Sequence, residues 1–312
     1  MSVVSYLKDV SSRRPALVRA ALLVLLLAAV VLVGGVCLRH RDRTLRVTFL
    51  DVGQGDSIVI ESPGGKVVVV DGGGHPGTDE RLGSDPGNRV VVPYLRSRGV
   101  QRVDLLVPTH PDDDHVQGLN AVVENFGVEA ALDGGYPGTS APYTRLIGRL
   151  HTHRIPIYVA RRGQRIALGD GVELQVLNPP DHAVMGQHSP TNDNSVVLRV
   201  IYGKSRFLLT GDAEAEAESE MLGHCADLSA DVLKAGHHGS RWSTNAPFLD
   251  AVHPSIAIIS CGENNVYNHP HPELMDRLTA RGIHIYRTDR QGAITVETDG
   301  RTIGVRTTVG GH

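Results

Sequence analysis

Residues 105–115 read Leu-Leu-Val-Pro-Thr-His-Pro-Asp-Asp-Asp-His. The apolar run that ends at Pro108 has the composition of a buried strand. The residues after it therefore sit on the loop at the strand's carboxyl end, where open α/β sheets hold their chemistry. That loop carries His110, Asp112, Asp114 and His115 in close succession. Imidazole mixed with carboxylate suits a divalent ion kept open to water, whereas a closed structural zinc draws on thiolates. Cys37, Cys225 and Cys261 are the only cysteines and stand far apart, which argues against a zinc finger. The ordinary alternative is an acidic turn that caps a helix starting near Asp114.

The same arrangement recurs further along. Arg206–Thr210 reads as a strand ending in Gly211-Asp212, Val232–Ala235 as one ending in Gly236-His237-His238-Gly239-Ser240, and Ile256–Ser260 as one followed by Asn268-His269-Pro270-His271-Pro272. Each has a plain explanation alone: Asp212 can cap a helix from Ala213 to Leu222, and paired histidines can lie in a turn. Acid or imidazole at four successive strand ends is hard to ascribe to turn chemistry and points to a metal site.

Taken in order, Phe49-Leu-Asp51-Val-Gly-Gln-Gly-Asp56-Ser57, Val70-Asp71-Gly-Gly73, the His110–His115 loop, Leu209-Thr-Gly-Asp212 and Gly236-His-His-Gly-Ser240 resemble the metallo-β-lactamase superfamily. Within it they are most similar to the hydrolase domain of the ComEC/Rec2 competence proteins and their stand-alone relatives, over residues 45 to 307. The resemblance implies an α/β fold, an αββα sandwich of two mixed sheets, with two divalent ions on its upper edge, zinc first and manganese second. His110 and Asp112 would hold the first ion and Asp114 and His115 the second, with Asp212 bridging. His237 or His238 would complete the second, with His269 a further candidate. Asp71 and Asp56 would stand behind the ligands. Asp112 replaces the histidine of the commonest superfamily motif, which makes the first position richer in oxygen. Where many relatives supply another histidine this chain reads Asn192-Asp-Asn-Ser195.

Strand patterns such as Arg46–Asp51, Ser57–Glu61 and Lys66–Asp71 interleave with helical periodicity over Arg89–Arg98, His115–Phe126, Tyr143–His153, Ala213–Leu222 and Pro272–Ala280. Residues 44–308 are expected to form one large hydrolase domain and 309–312 a tail. Residues 1–43 differ. Arg13, Arg14 and Arg19 precede an uncharged run from Ala20 to Leu38, followed by Arg39, His40 and Arg41. At roughly 1.5 Å per residue this run is long enough to cross a bilayer. It reads as a single membrane anchor rather than a cleaved signal peptide, because no Ala-x-Ala site precedes the basic stop. Both flanks are basic, so charge leaves the orientation open; the resemblance favours a catalytic domain outside the cytoplasmic membrane.

The implied activity is metal-dependent hydrolysis, with a phosphodiester in DNA at the cell surface as the expected substrate and a separate competence channel as an expected partner. Asp114 or Asp212 would orient the attacking water, and His238 or His269 would protonate the leaving oxygen. Ser240 and Asn268 are candidate contacts to substrate oxygens. Arg161 and Arg162, with Arg145, Arg149, Arg154 and Arg165 near them in sequence, are candidates for a phosphate-binding groove, or else for a solvated face. A net charge of -3 and an aromatic content of 4% leave no global basic field and little material for base stacking, so sequence-specific binding is not expected. Two alternatives remain. The first is a hydrolase of the same fold acting on small phosphodiesters, or a lactonase or thioesterase, which would need an apolar pocket around Trp242, Phe248 and Tyr267. A non-catalytic accessory module of a membrane channel would tolerate a decayed ligand set. The sequence leaves the oligomeric state open.

Overall fold

The computed structural model describes residues 22–29, 43–75, 85–185 and 188–310. These divide into two units at Arg43/Thr44. In the first unit, residues 22–29 are helical. The remainder of the expected anchor, with Cys37 and the basic flanks, lies outside the described residues, as do residues 311 and 312. Among the described residues no helix is long and apolar enough to cross a membrane, so the anchor gains no support from the structure.

The second unit holds two large sheets. Its strands are β1 (Leu45–Phe49), β2 (Ile58–Glu61), β3 (Val67–Val70), β4 (Arg102–Val103), β5 (Leu105–Val107), β6 (Gly127–Val128), β7 (Ala131–Asp133), β8 (Ile157–Val159), β9 (Arg165–Gly169), β10 (Val172–Asn178), β11 (Val197–Tyr202), β12 (Ser205–Leu209), β13 (Val232–Lys234), β14 (Ile256–Ile259), β15 (His284–Arg287), β16 (Ile294–Thr298) and β17 (Ile303–Thr307). One sheet runs β17-β16-β1-β2-β3-β5-β7-β8 and the other β15-β14-β13-β12-β11-β10-β9; β4 and β6 form a small parallel pair. Both large sheets are mixed, as expected.

Strand alternation builds four layers. Ile58, Ile60, Val68 and Val70 enter a core shared with Leu174, Phe207, Val232 and Ile258 of the facing sheet. Their neighbours Val59, Val67 and Val69 turn outward under the helices Val92–Ser97, Leu119–Asn125 and Ala141–Thr152. On the far side Leu233, Ala257 and Ile259 lie beneath the helices Ala215–His224, Ala246–Val252 and Pro272–Ala280. These central strands are buried on both faces, so they read as continuous apolar runs. Each fully buried Val, Leu or Ile contributes roughly 1.5–3 kcal/mol, so the register that buries both faces is strongly selected.

The pairing places the chemistry. β3 and β5 are parallel, with Val70 opposite Val107. β12, β13 and β14 are also parallel, pairing Leu209 with Lys234 and Lys234 with Ile258. Parallel neighbours end on the same edge, so Asp71, the His110 loop, Asp212, the paired histidines and Ser260 leave their sheets at carboxyl ends. The helix expected over His115–Phe126 is divided into Asp113–Val116 and Leu119–Asn125. At the division Gly118 is pressed against the Asp71-Gly-Gly turn, where a Cβ would stand 2.1 Å from the Gly72 carbonyl oxygen.

Candidate metal centre

Both capping alternatives fail on geometry. The helix Asp113–Val116 has no side-chain cap at its N-terminus. The helix expected to be capped by Asp212 starts at Ala215, and its first N–H groups are met by Asp193, whose Oδ1 accepts from Glu214 N at 3.2 Å and Ala217 N at 3.1 Å. Asp212 is left to face imidazoles. Its Oδ2 lies 3.3 Å from His115 Nε2, 3.3 Å from His238 Nε2 and 3.8 Å from His237 Nε2. Asp114 Oδ2 adds a second carboxylate 3.3 Å from His238 Nε2. On the other side of the loop, Asp112 Oδ2 is 3.6 Å from His110 Nε2.

Each imidazole is held from behind through Nδ1. His115 donates to Asp71 Oδ2 at 2.8 Å, His238 to the Ser260 carbonyl at 3.0 Å and His237 to Glu214 Oε1 at 2.6 Å. His110 Nδ1 has Thr109 Oγ1 at 3.0 Å and Ser195 Oγ at 3.3 Å. Asp71 itself accepts from Thr109 N and Thr109 Oγ1, both at 2.8 Å. This fixes one tautomer and turns every Nε2 toward the acids, the arrangement seen behind metal-ligating histidines. The inward atoms His110 Nε2, His115 Nε2, His238 Nε2 and Asp212 Oδ1 are buried with no hydrogen-bond partner. Buried polar atoms left in this way call for a further partner, and the donor set is one that divalent ions take.

The electrostatics carry the same demand for cations. Burial works against charge on His115 and His238, yet Asp212 outweighs it, helped by Asp71 and Asp114 at His115 and by Asp114 and Asp56 at His238, and holds both well above the usual imidazole range. Burial would likewise raise Asp212, and His115, His238 and His237 pull it well below the carboxylate range. His110 has less compensation, and burial pushes it down to about 3. Burial pushes Asp112, the outermost acid, up to about 6.

Residues 50–263 match the Metallo-beta-lactamase superfamily. The chain belongs to that superfamily. It is 32% identical over 259 residues to ComE operon protein 3 of Bacillus subtilis, covering 80% of this chain and 32% of that protein. It is 35% identical over 207 residues to competence protein ComA of Neisseria gonorrhoeae, covering 65% of this chain and 26% of that protein. Recombination protein 2 of Haemophilus influenzae is 31% identical over 255 residues, covering 81% of this chain and 29% of that protein. The chain thus spans less than a third of the length of these curated relatives.

Seen as a metallo-β-lactamase edge, the site brings together His110, Asp112, Asp114, His115, Asp212, His237 and His238. It separates the tandem histidines, since only His238 reaches Asp114. His238, with Nδ1 on the Ser260 carbonyl, turns Nε2 toward Asp114 and Asp212 on the ligand side of the cleft. His269 lines the cleft, its ring centroid 5.4 Å from that of His237. Burial, with His237 and His238 beside it, lowers its pKa to about 4.

Asp56, His115, Asp212 and His238 also form a four-ligand group by distance alone. Asp56 nevertheless approaches the imidazoles from the wrong side for that. Its oxygens lie 3.6 Å from His238 Nδ1 and 4.0 Å from His115 Nδ1, behind the rings. Its cation is Lys234, whose Nζ contacts Asp56 Oδ2, donates to the Gly211 carbonyl at 2.9 Å and lies 3.7 Å from Asp212 Oδ1. Sequence reading missed Lys234 and Glu214. The signal for the first was a lysine inside the apolar run Val232–Ala235; for the second it was only proximity to Asp212.

The expected substrate contacts fare less well. The cleft above the acids, about 360 Å³, is lined by Gln54, Asp113, Ser140 and Tyr267 beside the acids and histidines already placed. Ser240 is buried, with its hydroxyl accepting from Trp242 N, and Asn268 stands on an exposed turn outside the cleft lining. Arg161 lines a different cleft and donates to the carbonyls of Gly134 and Ala160; Arg162 donates to Leu177 O and faces Glu220. Their donors are drawn to backbone at strand ends, so neither guanidinium reaches the cleft over the acids.

Close backbone approach sets the ligand loop. Gly72 N donates to His115 O, Gly73 N to Asp56 O and Asp56 N to Asp114 O, knitting three loops together. At Gly74 a Cβ would meet the Asp113 carbonyl oxygen at 1.9 Å. Gly74→Ala is expected to push Asp114 and His115 off position, weakening zinc uptake and lowering hydrolysis about 10²-fold. Zinc titration and turnover alongside circular dichroism check this; a folded variant with both unchanged refutes it.

Proposed function

We propose that the chain is a dinuclear metal-dependent phosphodiesterase acting on nucleic acid. The carrying observation is the single oxygen of Asp212 faced by imidazoles from loops of both sheets, with Asp114 beside His238 and Asp112 beside His110. Divalent ions paired at such a site supply a water acidic enough to attack near neutral pH and polarise the bond under attack. In this reading Asp212 would help hold both ions, Asp114 would orient the attacking water, Asp71 and Ser260 keep the imidazoles in one tautomer through Nδ1, and His269 would contact the leaving oxygen from the cleft wall. Ser140 and Gln54 replace Ser240 and Asn268 as polar contacts to substrate. Zinc is the first choice of metal and manganese the second.

The similarity to competence proteins supports DNA as the substrate, a membrane anchor over residues 20–38, an extracytoplasmic catalytic unit and a separate channel as partner. A polar, acid-rich cleft fits a phosphodiester bound through its metals. The apolar pocket needed for a lactonase or thioesterase does not form, because Phe248 is fully buried in the core and Trp242 and Tyr267 are 46% and 54% exposed. The complete ligand set likewise weighs against an inert accessory module.

The test is hydrolysis of single-stranded DNA, double-stranded DNA and bis(p-nitrophenyl) phosphate by the full chain loaded with zinc or manganese, against an acyl lactone and a thioester. Turnover confined to the phosphodiesters is expected. Cleavage of the lactone or thioester alone, or none by the two-ion form, overturns the reading. Arg161→Ala with Arg162→Ala is expected to leave the small ester within about twofold, since neither residue lines the cleft; a larger loss on DNA alone would restore the arginine groove.

A further inference from the structure

Among the described residues three aromatic side chains are exposed: Tyr158 on β8, Trp242 and Tyr267. Single rings scattered over a surface are ordinary. Two of these three, however, stand on loops that are tied to each other at the paired histidines. Ser240 N donates to His237 O at 2.8 Å and Trp242 N to Ser240 Oγ at 3.2 Å, so the indole follows directly from the histidine turn. His271 N donates to Gly239 O at 2.8 Å, which joins that turn to the loop carrying Tyr267. Tyr267 itself lines the cleft over the acids.

Both rings are held in place. His188 stacks on Trp242, with centroids 4.4 Å apart and planes 23° from parallel, and His269 stacks on Tyr267 at 5.8 Å and 28°. Asn265 fixes the turn that presents Tyr267. Its Oδ1 accepts from Tyr267 N at 3.2 Å and His269 N at 2.9 Å, while its Nδ2 donates to Gly262 O at 2.9 Å and His269 O at 2.6 Å. A ring that is already ordered yet open to solvent loses little freedom when a flat partner stacks on it. Arg241 Cζ lies 5.5 Å from the centre of the indole, a cation beside the ring for an anionic backbone to meet. Flat guests strung on a phosphate chain suit this combination, and every nucleobase offers a π face whatever its identity.

We propose that the His188–Trp242 pair and Tyr267 are two stacking platforms for unpaired nucleobases of the strand whose phosphodiester enters the cleft. This rests on the reading of nucleic acid as the substrate, and it adds residues that the metal chemistry does not use. Few aromatic residues are then enough, because the bases are engaged by their faces and without regard to sequence.

The experiment titrates the zinc-loaded full chain with a short phosphorothioate oligothymidylate, which resists hydrolysis, and with its abasic counterpart of equal length. Trp242 is the only tryptophan, so quenching of intrinsic fluorescence reads contact at that ring, and anisotropy of a labelled strand reads affinity. The base-bearing strand is expected to quench Trp242 and to bind about 25-fold or more tightly than the abasic one. Trp242→Ala and Tyr267→Ala should each weaken the base-bearing strand about 5–100-fold and leave the abasic strand within about twofold, while Tyr267→Phe and Tyr158→Ala should bind both as the native chain does. Equal affinities for the two strands, an unquenched Trp242, or a loss in Tyr158→Ala as large as in the other two overturns the proposal. A blue shift of Trp242 on phosphatidylglycerol vesicles with no dependence on bases would assign the rings to a membrane and overturn it as well. If Trp242→Ala fails to fold, Tyr267→Ala and the quenching in the native chain decide. Base-dependent binding by a zinc-loaded chain that cleaves no phosphodiester would overturn the function above and leave this site standing; cleavage of DNA with binding blind to bases would do the reverse.

Discussion

Asp212→Ala is expected to cost the chain its tightly held ions and about 10³-fold of its hydrolytic rate while leaving it folded. The size follows from how much meets at one carboxylate. Its Oδ2 faces three imidazole nitrogens within 3.8 Å, and its Oδ1 faces the Lys234 ammonium. An alanine there removes the carboxylate that these three imidazoles face, and metal activation is worth several kcal/mol of transition-state stabilisation. The fold should survive because the turn is anchored by other atoms: Ser195 Oγ accepts from Asp212 N at 3.2 Å, and Lys234 still donates to Gly211 O. Elemental analysis, hydrolysis rate and circular dichroism of the purified variant decide it. A variant that keeps both ions and a rate within tenfold of native would remove Asp212 from the centre of the site.

Lys234→Met is expected to destabilise the metal-free chain by about 3–5 kcal/mol, because it leaves the Asp56 carboxylate buried with no cation. Both side chains are essentially inaccessible. Lys234→Met with Asp56→Leu should recover most of the loss, since replacing a whole buried ion pair by apolar groups is often close to neutral. Burial alone would raise Asp56, and Lys234 outweighs it and holds it below the usual range. Burial would lower Lys234, and Asp56 and Asp212 outweigh it and hold it above its ordinary 10.5. The contribution of Asp56 is therefore present above the unfolded carboxylate range, about pH 4, and fades as pH falls; that of Lys234 is present below about 10.5 and is lost as pH rises through its raised value. Urea unfolding of native and double variants across pH should differ by a constant amount between those limits and less outside them. A single variant within 1 kcal/mol of native would show that the pair is not the buried couple described.

The sheets and the ligand loop were legible because their signals are short in range. β3 and β14 are apolar on both faces and could hardly be anything else, and His110 to His115 carries its meaning in six consecutive residues. β17 escaped notice because it is an edge strand, half exposed and without a buried run. Lys234 stood out as the one charge inside a buried run, but the acid it faces, Asp56, lies far away in sequence beside the opposite sheet, so the pairing could not be read. Arg161 and Arg162 show the converse failure. Basic residues clustered in sequence share a neighbourhood but not an aim, and here backbone carbonyls claim both. The choice between His237 and His238 was beyond sequence for the same reason: adjacent residues differ only in where a turn points them.

His115 and Asp212 stand nearly a hundred positions apart, on loops from different sheets, and meet at one nitrogen and one oxygen. Any ion they share is a removable clasp on that span. In the chain-entropy account a fastening across about 100 residues takes roughly 4.7 kcal/mol of freedom from the unfolded chain. Cys225 and Cys261 are both free thiols, so among the described residues no covalent link does this work. Supply of metal would then govern how durable the folded chain is as well as whether it turns over.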